Sequence, residues 1–279
     1  MRRSLIRTGA AGAVLVLALG ACGSTGREAS KVSTLAMVAG APQAAADAKT
    51  AHMSGSMRVA AAGERMEIPI EGDIDFANGA AQISMDMSTI GAASGMKRAS
   101  GGGTLEMRMV DGVMYMNMGA MIGSRSGSVF GGRSWIKVDL KDVGAGSTGL
   151  AGQNPSDYLD TLRGAADVTE LGTARINGVD TTHFRAQIDM AKSLGKMTPK
   201  LRALAAKGLA AFGKHFPVDV WISNDGLPRR FALHLDMKGV ASVSAQIDYT
   251  DYGASVSIKA PPADETMDSD AFKSLQRSN

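Results

Sequence analysis

The sequence predicts an α+β fold: a strongly curved antiparallel β-sheet, an incomplete barrel of about 10–11 strands, cupped over a few α-helices. Three observations carry that expectation. From Ser54 onward, apolar residues recur at every second position in one segment after another. Those segments are separated by Asn-Gly, Asp-Gly and Gly-rich turn signals. Helical periodicity is scarce, so a long sheet with one greasy face must curve to cover it, and a curved sheet leaves room for a hollow.

Ahead of the strands stands an export signal. "MRRSLIRTGAAGAVLVLALGAC" opens with Arg2, Arg3 and Arg7, continues with an apolar run too short to span a bilayer, and ends in small residues. Leu19-Gly20-Ala21-Cys22 has the form of a bacterial lipobox, in which Cys22 receives a diacylglyceryl group and becomes the mature N-terminus. Cys22 is the sole cysteine of 279 residues, which makes the match specific and rules out a disulfide staple for an exported fold. The expected organisation is a signal peptide over 1–21, a flexible tether over 22–40 and one half-barrel domain over 41–279. An anchor of this kind places the protein on the outer face of the cytoplasmic membrane without a spanning helix.

Charge is neutral once the signal is gone. Lys and Arg number 30 against 27 Asp and Glu, a net of +3, and the three signal arginines account for the whole excess. That leaves no electrostatic footprint for nucleic acid and no polybasic membrane patch.

"APQAAADAKTAHM" reads as a short helix with Pro42 in its first turn. In "ERMEIPIEGDIDF", Met66, Ile68, Ile70, Ile74 and Phe76 share one parity and Glu67, Glu71, Asp73 and Asp75 the other. Asn78-Gly79 signals a hairpin. "AQISMDMS" returns with Ile83, Met85 and Met87 on one face, and "TLEMRMVDG" follows with Leu105, Met107 and Met109. Past the Asp111-Gly112 turn come Met114, Met116 and Met118. Later strands repeat the pattern: Phe184, Ala186 and Ile188; Val218, Val220 and Ile222; Phe231, Leu233, Leu235 and Met237; Val243, Ala245, Ile247 and Tyr249. Two further helices are expected, one started by Ser156 and a longer one after Thr198-Pro199, with Leu201, Leu204 and Phe212 as its apolar stripe. The Gly-rich stretches 89–104, 119–133 and 141–155 read as loops around one rim.

Eighteen methionines are the chain's compositional oddity. Every strand methionine in those segments lies on the parity of the isoleucines, leucines and phenylalanines of its own strand. A copper site is the remote alternative, since thioethers favour Cu(I). A dedicated metal site would set its ligands apart and enlist histidine, and the four histidines are elsewhere; no metal or cofactor is expected. A static core is more economically built from rigid Leu, Ile and Phe. Methionine repacks around guests of varied outline. The apolar parity is therefore read as the lining of a cavity: Met66 to Phe76, Ile83 to Met87, Leu105 to Met109, Met114 to Met118, Phe184, Ile188, Val220, Phe231, Leu233, Leu235, Val243 and Ile247, with Leu201 and Leu204 from the helix.

Catalytic signatures are missing. There is no G-x-S-x-G, H-E-x-x-H or P-loop, and no cysteine free to act as nucleophile. Asp73, Asp75, Asp86 and Asp219 fall on wet positions, and "SNDG" at 223–226 is turn chemistry. The expectation is a binding protein, not an enzyme.

"GGRSWIKVDL" (131–140), "PVDVWISNDGLPRRFALHLDM" (217–237) and "YTDYGASVSIKAPPADE" (249–265) together resemble the LppX/LprG group of LolA-like envelope lipoproteins, over roughly residues 40–265. The resemblance implies an incomplete antiparallel barrel over helices, with a hydrophobic cavity for acylated lipids or glycolipids. It transfers no head-group residue. The methionine density and the loops at 89–104 and 119–133 depart from the group. The expected partners are membrane lipid through Cys22, a hydrophobic lipid ligand held by a monomer, and an envelope protein partner. The alternative is a non-carrier interaction or sensor protein whose half-barrel is filled by its own side chains.

Overall fold

The computed structural model describes residues 25–61, 63–88, 103–119, 132–139, 159, 161–189, 215–236 and 241–269. Cys22, Leu201, Leu204 and most of the long helix expected after Thr198 lie outside them.

Helix α1 spans Thr25–Asp47. Thr34, Val38, Ala41 and Ala45 are buried at steps of three and four, which is one face of a helix. This corrects two expectations. The tether is helical from Thr25 onward, because "REASKVSTLAMVA" contains no glycine or proline and its Val38 has a core to reach. The helix also stops before Thr50: Lys49 turns left-handed (φ 70°), and its amide bonds back to the Ala46 carbonyl at 3.0 Å. Pro42 stands inside the helix instead of in its first turn, where it lacks the amide that would bond to Val38.

Twelve strands follow: β1 (Thr50–Ala61), β2 (Glu64–Asp75), β3 (Ala80–Asp86), β4 (Thr104–Val110), β5 (Val113–Asn117), β6 (Trp135–Asp139), β7 (Ala165–Ile176), β8 (Val179–Asp189), β9 (His215–Ser223), β10 (Pro228–Asp236), β11 (Ala241–Thr250) and β12 (Thr266–Asp268). They form one sheet in the order β12-β6-β5-β4-β3-β2-β1-β11-β10-β9-β8-β7. All neighbours are antiparallel except β12, which runs parallel to β6. The order never returns on itself, so the sheet is unclosed, as the incomplete barrel requires. The helix expected after Ser156 starts outside the described residues and does not run on to Ala166. Thr161–Gly164 is a 3-10 turn, and Ala165 already opens β7. Phe216, expected at the end of the long helix, belongs to β9.

Turn chemistry fits the register in two places. Asp111-Gly112 and Asn177-Gly178 both have positive φ at each residue, the geometry of a tight two-residue hairpin. Asn78-Gly79 sits instead in a wider turn, where Asp75 accepts from the Asn78 amide (3.0 Å) and side chain (2.7 Å).

Two central glycines permit the bend. A Cβ at Gly55 would collide with the Gln246 carbonyl, and one at Gly72 with the Gln82 carbonyl. Both are strand positions where neighbouring backbone comes close. Gly55→Ala is therefore expected to lower stability by about 1–3 kcal/mol, read from urea denaturation. Unchanged stability would show that the sheet flattens there without strain.

Candidate functional site

Cross-strand register converts single-strand parity into a surface. One row runs Met53–Gly72–Ile83–Met107–Met116–Ile136–Met267 through β1 to β6 and β12. The next runs Ala51–Ile74–Ala81–Met109–Met114–Val138. On the other side of β1, Gly55–Ile247–Phe231–Val220–Phe184 forms a further row. Partners in a ladder project to the same side of a sheet, so these rows are one continuous inner face. No charged side chain interrupts them.

That face has two halves of different chemistry. Among the described residues, which leave out Met237, it is built over β7 to β11 mainly of branched and aromatic residues and carries no methionine. There Phe184, Ile188, Val218, Val220, Ile222, Phe231 and Leu233 are buried in one cluster with Val38, Ala41 and Ala45 of α1 and with Leu159 and Leu162. Over β1 to β5 and β12 the face carries every strand methionine of the described residues. Ile68, Met85 and Met107 are buried there, with Met57, Met87, Leu105 and Met116 half-buried against them. Met114, Ile136, Val138 and Met267 form a third cluster, with Met116 and Met118 packed on it.

The sequence-predicted lining therefore divides. Met85, Met87, Leu105, Met107, Met109, Met114, Met116 and Met118 all lie on the thioether half, with Ile68, Ile70 and Ile83. Phe184, Ile188, Val220, Phe231, Leu233 and Ile247 belong to the packed core under α1, with Ile74 buried and Phe76 and Leu235 half-buried against it. Met66 and Val243 both oppose Val59 at one end of the face.

The opposite face is polar and tightly paired. His183 stacks on Trp221 with ring centroids 4.0 Å apart and hydrogen-bonds to Asp219 at 3.1 Å. Arg185 grips both oxygens of Asp219 at 2.9 Å. Arg230 grips Asp248 in the same bidentate way, and its guanidinium lies over Trp221. Beside this network Arg58, Asp219, Ala232, His234, Ser244 and Gln246 line a shallow depression of about 170 Å³. Asp219, placed by its strand on the wet parity, is thus held by Arg185 and His183.

The motifs that carry the resemblance form a fold lock that sequence reasoning did not identify. In "WISNDGLP", the Ser223 hydroxyl bonds to Asp225 and the Leu227 carbonyl, and Arg229 donates to Ser223 at 2.9 Å and Asp225 at 3.0 Å. Burial pushes the Asp225 carboxyl up, but hydrogen bonds from Ser223 and the Leu227 amide, with the Arg229 charge, outweigh it and hold it below its ordinary value. In "DYG", Tyr252 donates to the Pro228 carbonyl, and Arg229 lies over its ring at 5.2 Å. The lock sits where the turn meets α1, since a Cβ at Gly226 would touch Ala44.

Burial, then the field of Tyr249, raises the Tyr252 pKa well above the ordinary tyrosine value, against a lowering by Arg229. A raised folded pKa contributes stability that is whole below the unfolded value, about 10, and is lost as pH climbs towards the folded one. Tyr252→Phe is expected to lose about 1–3 kcal/mol at neutral pH by leaving the Pro228 carbonyl unpaired. It should also destabilise less steeply than the parent above that pH, as denaturation midpoints against pH will show. Parallel curves would contradict the assignment.

A second brace crosses the outer side of β4 to β6, behind the thioether half. Residues 251–265 run without regular structure from β11 to β12. Arg108 reaches the Lys259 carbonyl at 3.2 Å and lies 4.8 Å from the ring centre of buried Trp135, while the amides of Ser134 and Trp135 donate to Glu265.

No family model matches the chain. Over 255 residues it is 27% identical to an uncharacterized 31.2 kDa protein of Streptomyces griseus from the rplA-rplJ intergenic region, covering 86% of this chain and 80% of that one. Over 180 residues it is 29% identical to the candidate lipoprotein SCO4650 of Streptomyces coelicolor, covering 61% and 52%; the chain spans about half the length of that relative. Among solved structures it is similar in fold to the Mycobacterium tuberculosis lipoprotein LppX, with a TM-score of 0.49 at 16% identity, covering 82% and 99% of the two chains. LprF of Mycobacterium bovis is similar at a TM-score of 0.47 and 16% identity, covering 83% and 98%.

Proposed function

We propose that the protein is an envelope lipoprotein, anchored through Cys22, that holds an acylated hydrophobic guest on the thioether half of its inner face. The observation that carries this reading is the segregation of methionine. A core built only for stability has no reason to confine the flexible side chains of its described strands to β1–β5 and β12 while β7–β11 clasp α1 with rigid ones. A guest of varied shape gives that reason: rigid residues hold the fold, and adaptable thioethers meet the ligand. Each guest methylene buried there contributes about 0.8 kcal/mol.

Purification under non-denaturing conditions, followed by solvent extraction and mass spectrometry, tests the reading. Stoichiometric acyl lipid supports it. A reproducibly empty chain would favour a filled half-barrel that contacts a protein partner. For the anchor, Cys22→Ala is expected to release the chain from the membrane or leave an unprocessed precursor. A mature, acylated product in that variant would overturn the lipidation site.

A further inference from the structure

We propose that the half-buried thioethers of Met57, Met87, Met116 and Met118 form an oxidation site, at which a peroxide turns the guest seat polar and expels the guest. The inference rests on the guest-binding reading above and adds a regulation of that seat. Three observations lead to it.

First, sulfur is the oxidisable group of the inner face, and it occurs on the half assigned to the guest. Second, accessibility is graded within that half. Met85 and Met107 are 8% exposed, Met267 4% and Met114 2%, whereas Met57, Met87, Met116 and Met118, packed on the thioether clusters, are half-buried. Third, the core that holds α1 is almost free of sulfur. Among its buried members only Met53 carries a thioether, and that is 5% exposed. Peroxide can therefore alter the seat while the residues that hold the fold stay chemically inert.

In the step itself, the sulfur lone pair attacks one peroxide oxygen. The S–O bond forms as the O–O bond breaks, and the remaining oxygen leaves as water with both protons. Sulfur is oxidised by two electrons and the peroxide reduced by two. The sulfoxide is polar and chiral, so an apolar guest loses its fit, and reductases specific for methionine sulfoxide restore the thioether.

The test treats the full chain in native membranes with graded hydrogen peroxide. Peptide mass spectrometry then locates the added oxygen, and bound lipid is quantified on the same samples. Met37, 38% exposed on α1, serves as the accessible reference. Met57, Met87, Met116 and Met118 are expected to oxidise several-fold faster than Met85, Met107 and Met114, with lipid lost in step. Reducing the oxidised chain with methionine sulfoxide reductases and adding back the extracted lipid is expected to restore loading. Equal rates across the seven positions, lipid retained on the oxidised chain, or a reduced chain that does not take the lipid back would overturn the inference. A chain carrying no lipid before treatment overturns the guest seat itself, which separates the two failures.

Discussion

Phe184→Ala is expected to lower the stability of the chain by about 3–5 kcal/mol, the largest effect of any single truncation considered. Phe184 is 2% exposed and lies on the inner face of β8, level with Val220 of β9. Its cluster joins α1 to seven strands, β1, β2 and β7 to β11, so truncation leaves a cavity that neither the helix nor the sheet can close alone. The loss combines the transfer energy of the ring with the cost of the void. Urea denaturation followed by far-UV circular dichroism gives the number. A loss below about 1 kcal/mol would mean that the cluster collapses freely, and the division of the face into a rigid and an adaptable half would lose its basis.

Met116→Trp is expected to act in the opposite manner, on binding more than on folding. Met116 is half-buried and packs against both thioether clusters. A tryptophan there fills the space a guest would take. Bound lipid is expected to fall at least tenfold, which corresponds to about 1.4 kcal/mol or more of affinity. Thermal stability should change by less than it does for Phe184→Ala. Lipid quantified by mass spectrometry from equal amounts of purified protein provides the check. Undiminished loading would place the guest away from β5.

The contrast between these variants was only partly legible in the sequence. Parity within β2–β5 and β8–β11 could be read directly, since the alternation of apolar and polar residues is nearly unbroken there. Three strands gave little signal, each for a physical reason. In β1, "TAHMSGSMRVAA" fills inward positions with Ala51 and Gly55 beside its methionines, and its first residues read as helix. In β7 two bulges, between Ala165 and Asp167 and between Glu170 and Gly172, shift the parity midway. β12 is three residues long and paired in parallel, too short to show any period.

The site was legible in its residues and hidden in its boundary. Periodicity put Phe184 and Met116 on the same greasy face and did not say that one faces α1 and the other does not. That distinction depends on β1 pairing with β11, a contact far apart in the chain. The fold lock was hidden for the same reason. Arg229 and Tyr252 belong to different segments, and their stacking follows from the β10–β11 register, not from either motif alone.

The thioether half also supplies its own reporters. Isotopic labelling of the methionine methyl groups, with spectra taken on the lipid-stripped and lipid-loaded chain, tests the central claim most directly. The expected result is a shift of the Met57, Met87, Met116 and Met118 methyls on loading, with Met37 on α1 unmoved. Lipid bound at full stoichiometry with those four signals unchanged would contradict it.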